Sequence, residues 1–168
     1  MPTRLPVTPD PAGPGQESVW DYPRPPALVA STEHITVTFG AQVIAATDQS
    51  FRVLETSHPP TYYLPRSAFV EGALRPAAGH SVCEWKGAAS YLDLVAGDRV
   101  SPRKAWYYPS PTRPFAALLD HVAFYPEAVD EVRVGGEVVQ GQPGGFYGGW
   151  ITSKVAGPFK GVPGSMGW

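Results

Sequence analysis

The chain has 168 residues, with 13 Lys+Arg against 15 Asp+Glu and a net charge of −2. That is the length of one domain. It lacks the positive surplus that sequence-independent binding to nucleic acid requires, and no run of about 18 apolar residues offers a membrane span. The single cysteine excludes an internal disulfide framework and a Cys-rich zinc site.

Pro (20) and Gly (18) together fall just below the share of roughly 25–30% that marks low-complexity chains. Aromatic residues make up 12%, whereas disordered chains are poor in them. An ordered, turn-rich protein follows, with large rings supplying burial.

Residues 1–18 carry Pro at 2, 6, 9, 11 and 14 and read as an extended or disordered arm. They contain no apolar core of a secretory signal. With no signal, no span and a lone thiol, the expected compartment is the cytoplasm. Residues 19–26 (VWDYPRPP) read as a strap that docks Trp20 and Tyr22 on the domain, or as a lip over a ligand pocket.

The middle of the chain, 19–140, reads as a single β domain. ITVTF (35–39) alternates with period 2, and Gly40-Ala41 turns it into QVIAAT (42–47). RVLET (52–56), TYYL (61–64), HSVCEW (80–85), ASYLDLV (89–95) and RKAWYY (103–108) are further short runs. EVRV-GG-EVV (131–139) signals a hairpin about Gly135-Gly136. PFAALLDHV (114–122) reads as a helix of at most two turns, with Pro114 in its first turn and Thr112 as a possible cap. The whole predicts an all-β, mainly antiparallel sandwich or open barrel with at most one or two short helices. Residues 141–168 interleave Gly with Phe146, Tyr147, Trp150, Phe159 and Trp168. They are expected to pack on the β domain or on a neighbouring subunit, which would make a homo-oligomer, because five rings in solvent invite aggregation.

Three segments carry candidate chemistry. In ETSHPPTYYLP (55–65), Glu55 and Ser57 share a face if the strand continues to them. Tyr63 and Thr61 face one way, Tyr62 and Leu64 the other. Glu55, His58 and the tyrosines suit general acid/base work, or form a strand corner that bonds backbone amides. In SVCEWKGAASY (81–91), a regular strand puts Cys83 and Lys86 on opposite faces, so both line one pocket only if a bulge intervenes, with Gly87 as its place. Lys86 can bind an anion, pair with Glu55 or form a Schiff base. Cys83 is a small buried hydrophobe or a nucleophile. In AWYYPSPTRPF (105–115), the rings are core or the wall of a flat ligand's site. No phosphate-loop, dinucleotide, nucleophile-elbow or H-E-x-x-H motif occurs, and the four His (34, 58, 80, 121) lack metal spacing.

The blocks SVWDYPRPP, RVLETSHPPTYYLP, CEWKGAASY, AWYYPSP and HVAFYPEAVD, in this order over residues 19–135, resemble the family called domain of unknown function 427, which also carries a nucleotidyltransferase-like label. The resemblance implies a compact antiparallel β domain similar to the tent-like fold of methionine sulfoxide reductase B and its zinc-binding relatives. Those relatives hold zinc with paired CxxC motifs that this chain does not have, so no metal and no cofactor is expected. The resemblance also makes Glu55, Tyr63, Lys86 and Tyr91 candidates for a shared pocket. Nucleotidyl transfer gathers carboxylates around Mg²⁺, and the blocks offer only Glu55 and Asp93.

Three functions remain open. The first is a small-molecule enzyme: a pocket between the β sheets, walled by Tyr63, Tyr91 and Trp106, with Glu55, Lys86 and Tyr63 catalytic and His58, Ser57 and Cys83 among the ligand contacts. Hydrolysis, a lyase step or proton transfer on an anionic or carbonyl metabolite would suit it. The second is a non-catalytic module that docks partners through its aromatic arms. The third makes Glu55–Lys86 a buried structural ion pair.

Overall fold

A computed structural model describes residues 7–168; of the expected N-terminal arm, residues 1–6 lie outside the described residues. Among the described residues fifteen strands follow in chain order. They are β1 (Glu17–Ser18), β2 (Ala27–Ser31), β3 (Ile35–Phe39), β4 (Gln42–Thr47), β5 (Ser50–Leu54), β6 (Thr61–Pro65), β7 (Leu74–Cys83) and β8 (Gly87–Ala96). Then come β9 (Arg99–Tyr107), β10 (His121–Phe124), β11 (Glu131–Val134), β12 (Glu137–Val138), β13 (Gln140–Gly141), β14 (Trp150–Ile151) and β15 (Val155–Ala156). Seven strands form an open sheet in the order β2-β5-β6-β10-β9-β8-β7, and four form a second in the order β12-β11-β3-β4. Both sheets are antiparallel throughout, and neither closes into a barrel.

Period-2 patterning explains the layers. Ile35, Val37 and Phe39 of β3 are buried, while the threonines between them are only half-buried. They meet Tyr62 and Leu64 of β6, Leu92 and Leu94 of β8, and Val122 and Phe124 of β10 in the main core. Each such aliphatic side chain contributes about 1.5–3 kcal/mol. Trp150 of β14 enters the same core, with its ring centroid 4.6 Å from Tyr62. The Gly135-Gly136 turn joins β11 to β12 with both residues at positive φ (57° and 84°), the backbone of a two-residue hairpin.

The segment expected to be helical over 114–122 is helical only in its first half. Arg113–Leu118 makes a 3₁₀ turn broken at Phe115 (φ −114°, ψ 20°), and His121–Phe124 is strand β10. β10 lies between β6 and β9 at the centre of the large sheet, where Val122, Ala123 and Phe124 are buried from both faces. A short apolar run of this kind has no period to separate strand from helix. The Thr112 hydroxyl does not cap the turn; it donates to the Trp85 carbonyl at 2.6 Å.

Segments from the early and late parts of the described chain lie together. β1 pairs in parallel with β15, and β13 pairs with β14. The Trp20 indole donates to the Pro158 carbonyl at 2.9 Å, and its ring meets Trp168 edge-on at 5.4 Å.

Candidate functional site

Alternation along the large sheet sends Tyr62 and Leu64 into the core and Tyr63 to the outer face. Val53, Ala89, Ala123 and the partly buried Trp106 share that outer face with Tyr63. Above it lies a cavity of about 460 Å³. It does not lie between the two sheets as the sequence suggested. The space between the sheets is filled by the main core, and the cavity is roofed instead by residues that follow β13.

Glu55 follows the last residue of β5 and lines this cavity. Its Oε2 stands 3.2 Å from the Arg24 guanidinium and 3.4 Å from His58 Nε2. Partial burial raises the Glu55 pKa, but His58, Arg24 and, more weakly, Lys86 outweigh it and hold the carboxyl below the usual glutamate value. Glu55 is therefore a carboxylate at neutral pH. His58 is gripped on its other nitrogen by Gln142, whose Nε2 lies 3.0 Å from His58 Nδ1. The amide orientation of Gln142 follows from its other bonds: Oε1 accepts from the Gly149 N–H at 3.2 Å, and Nε2 donates to the Lys160 carbonyl at 2.8 Å. Gln142 Nε2 is thus a donor to His58 Nδ1. The imidazole then carries its proton on Nε2, toward Glu55.

Lys86 reaches the same cavity by a different device from the expected bulge. β7 ends at Cys83, residues 84–86 form a three-residue turn, and Gly87 pairs with Cys83. The turn is not pleated, so strand alternation lapses and both Cys83 and Lys86 line the cavity. The Lys86 Nζ lies 5.8 Å from the Tyr108 ring centroid and 6.0 Å from that of Phe115. Burial disfavours the ammonium, but Tyr63, Cys83 and Glu55 favour it and hold the Lys86 pKa above the ordinary lysine value. A Schiff-base lysine needs the opposite shift, so this ammonium is suited to binding an anion.

Tyr63 and Tyr108 complete this end. Burial raises the pKa of both hydroxyls, so both stay protonated. The Trp106 indole donates to Tyr63 Oη at 3.4 Å, Tyr108 interacts with Tyr63 and Cys83, and Cys83 with Lys86. The network holds an ammonium, two hydroxyls, a thiol and an indole N–H, with no carboxylate within ion-pair distance of Lys86 among the described residues. It is rich in donors and poor in acceptors.

The cavity therefore brings together Glu55, Lys86, Tyr63, His58, Tyr91, Trp106 and Cys83. Ser57 is not among them. The strand stops at Leu54, and Ser57 takes φ +73°, which turns it out of register with Glu55. Its side chain is fully buried, and its backbone joins both chain ends: its N–H donates to the Val19 carbonyl at 3.0 Å, and its carbonyl accepts from the Lys160 N–H at 2.8 Å. A structural Glu55–Lys86 ion pair is also not what forms, since Glu55 pairs with Arg24 and His58 instead. Asp93 does not line the cavity; it pairs with Arg75 at 3.1 Å, so Glu55 and Asp93 are not gathered as the carboxylates of nucleotidyl transfer would be. No cluster of three or more His, Cys, Asp or Glu side chains with metal-holding geometry occurs among the described residues. No helix among them is long and apolar enough to cross a membrane.

Sequence reading missed Gln142, Phe146, Tyr147 and Lys160, which supply the roof. Their only local signal was rings set between glycines. One of those glycines has a steric duty: an ideal Cβ on Gly148 would come 2.4 Å from the Trp106 ring.

A family model described as domain of unknown function (DUF427) matches residues 27–135. The match includes Glu55, Lys86 and the rings of the sheet, and excludes Arg24 and the roof residues. No curated protein matches the chain at a significant level. Four of the five ordered blocks fall inside the match and the first, SVWDYPRPP, lies just before it; the chain belongs to the DUF427 family.

Proposed function

We propose that the chain is a small-molecule-binding β domain that performs proton transfer on an anionic or carbonyl metabolite. The observation that carries this reading is the polarity of the cavity. A protonated donor cluster of Lys86, Tyr63 and Tyr108 and an ionised acceptor, Glu55, open onto one hollow. Glu55 accepts a proton from the bound substrate, with His58 holding the carboxylate in place. Lys86 and the two phenols stabilise the oxyanion that the lost proton leaves behind. Tyr91 and Trp106 flank the substrate. Addition, elimination and hydrolysis all use this pairing of base and oxyanion site, so the reaction class is acid–base and the bond changed depends on the substrate.

A thermal-shift screen against a metabolite library tests this. A ligand present at 100 times its Kd adds about 2.7 kcal/mol to stability. The shift is expected to vanish in Lys86→Met and to weaken in Glu55→Gln. A shift that survives unchanged in both variants removes the ligand from this cavity and overturns the reading.

A docking module is the second reading, favoured by two apolar side chains at the cavity: Val82 is 83% exposed and Phe146 is 76% exposed. Sedimentation over a dilution series separates the two. Self-association lost in Val82→Ser and Phe146→Ser supports the module, and a monomer at all concentrations counts against self-docking.

A further inference from the structure

The cavity has three chemically distinct parts, and together they describe one kind of ligand. The first is the donor cluster. Among the described residues no carboxylate stands within ion-pair distance of Lys86, and the protonated hydroxyls of Tyr63 and Tyr108 line the same cavity. The ammonium carries three donors and its contact, Cys83, is a weak acceptor, so two oxygens that share a negative charge complete the set. The charge balance agrees. The charged groups lining the cavity are Lys86, Lys160 and Glu55, and the charge of Glu55 is already matched by Arg24.

The second part is the wall. The sheet contributes Tyr91 and Trp106, with Tyr125 just after β10, and the roof contributes Phe146 and Tyr147. Three of these rings, Trp106, Tyr125 and Tyr147, are held by neighbours. Trp106 is tied by its N–H to Tyr63 and lies 4.9 Å from Tyr125; the Tyr125 hydroxyl donates to the Phe146 carbonyl at 3.2 Å; and Tyr147 packs edge-on against His58 at 4.9 Å. Fixed rings reward a flat, conjugated ligand, which stacks without freezing torsions of its own.

The third part is the acceptor, Glu55, which the Nε2–H of His58 steadies from one side. A ligand O–H or N–H on the remaining side satisfies it.

We propose that the ligand is a planar ring acid: a conjugated carboxylate seated on Lys86, stacked between the rings of the sheet and of the roof, and carrying a hydroxyl or amino group that donates to Glu55. This rests on the reading of the cavity as a binding site and adds the class of molecule that fills it.

Calorimetric titration of the full chain with 4-hydroxybenzoate and 4-hydroxycinnamate tests it. Three relatives each remove one feature. 4-Hydroxybenzamide removes the charge, 4-methoxybenzoate removes the donor, and trans-4-hydroxycyclohexanecarboxylate removes the flat ring. Each is expected to bind at least about tenfold more weakly than 4-hydroxybenzoate. Lys86→Met is expected to abolish the preference for acid over amide, and Glu55→Gln the preference for hydroxyl over methoxy, with circular dichroism confirming that both variants fold. If the saturated acid binds as well as the aromatic one, the ring requirement is wrong. If the amide binds as well as the acid, the carboxylate is wrong. If ring acids fail while another library compound binds and is lost in both variants, the class proposed here falls and the cavity reading stands. If binding of any compound is indifferent to both variants, both fall.

Discussion

The Gln142 amide, from a segment beyond the family-matched residues, donates to Nδ1 of His58 at 3.0 Å. Through this bond a residue 84 positions away decides which imidazole nitrogen faces Glu55. Long-range ¹⁵N–¹H NMR of the wild type is expected to find Nδ1 unprotonated and Nε2 protonated at neutral pH. Gln142→Leu removes the donor, frees the tautomer to redistribute, and strips the Gly149 N–H and Lys160 carbonyl of their partner. A loss of about 1–3 kcal/mol accompanies each buried polar group left unpaired. A wild-type His58 protonated on Nδ1 alone would refute the assignment.

Acid stability follows from two glutamates. Arg52 and Tyr22 hydrogen bonds outweigh burial and hold Glu17 below the usual glutamate value, and His58 and Arg24 do the same for Glu55. The folded state binds fewer protons than the unfolded chain wherever the unfolded groups titrate. Both groups therefore add stability that is complete above the ordinary value of 4.5 and is lost as pH falls through the lower folded values. Urea midpoints measured from pH 7 down to pH 3 are expected to fall below about pH 5. Glu17→Gln is expected to flatten that fall, and an equally steep fall in the variant would remove Glu17 as a source.

The alkaline side has the opposite sign. Burial raises the pKa of Tyr63 and Tyr108, and pushes that of Tyr62 up to about 12. The folded state then keeps protons that the unfolded chain releases near pH 10, so this contribution is complete below pH 10 and shrinks above it. Phenolate absorbance is expected to rise short of eight tyrosines until the chain unfolds. A smooth titration of all eight near pH 10 in folded protein would contradict the burial.

Trp150 is 1% exposed, stacks on Tyr62 and lies 5.4 Å from Phe124. Although it belongs to the Gly-rich extension, it packs as part of the main core. Trp150→Ala is expected to cost about 3–5 kcal/mol in equilibrium unfolding. A cost under about 0.5 kcal/mol, the range of surface substitutions, would mean that the extension is not integral to the fold.

Gly148 sits against the Trp106 ring with no room for a methyl group. Gly148→Ala is expected to displace the ring, change its fluorescence and lower stability by about 1–3 kcal/mol. Trp106→Phe in the same chain is expected to recover part of that loss, which a double-mutant cycle measures. Simple additivity of the two changes would show that the contact is not made.

The amino-acid sequence by itself determined the β architecture and marked some of the side chains that line the cavity on its sheet side. Alternation in ITVTF and TYYL fixed which side chains face the core, and the paired glycines at 135–136 fixed a hairpin, because strand period and turn chemistry are local properties. Glu55, Lys86, Tyr63 and Trp106 stood out because charged groups beside rings and turns are visible in a few residues. Only the tertiary structure decided that the hollow lies on the outer face of the large sheet, that Lys86 and Cys83 share it across a three-residue turn, and that Ser57 faces away from it at positive φ. It alone revealed β10 as a central strand and Gln142 as the partner of His58. Those outcomes depend on contacts between segments far apart in the chain, and an unperiodic run of glycines and rings carries no local mark of the surface on which it will close.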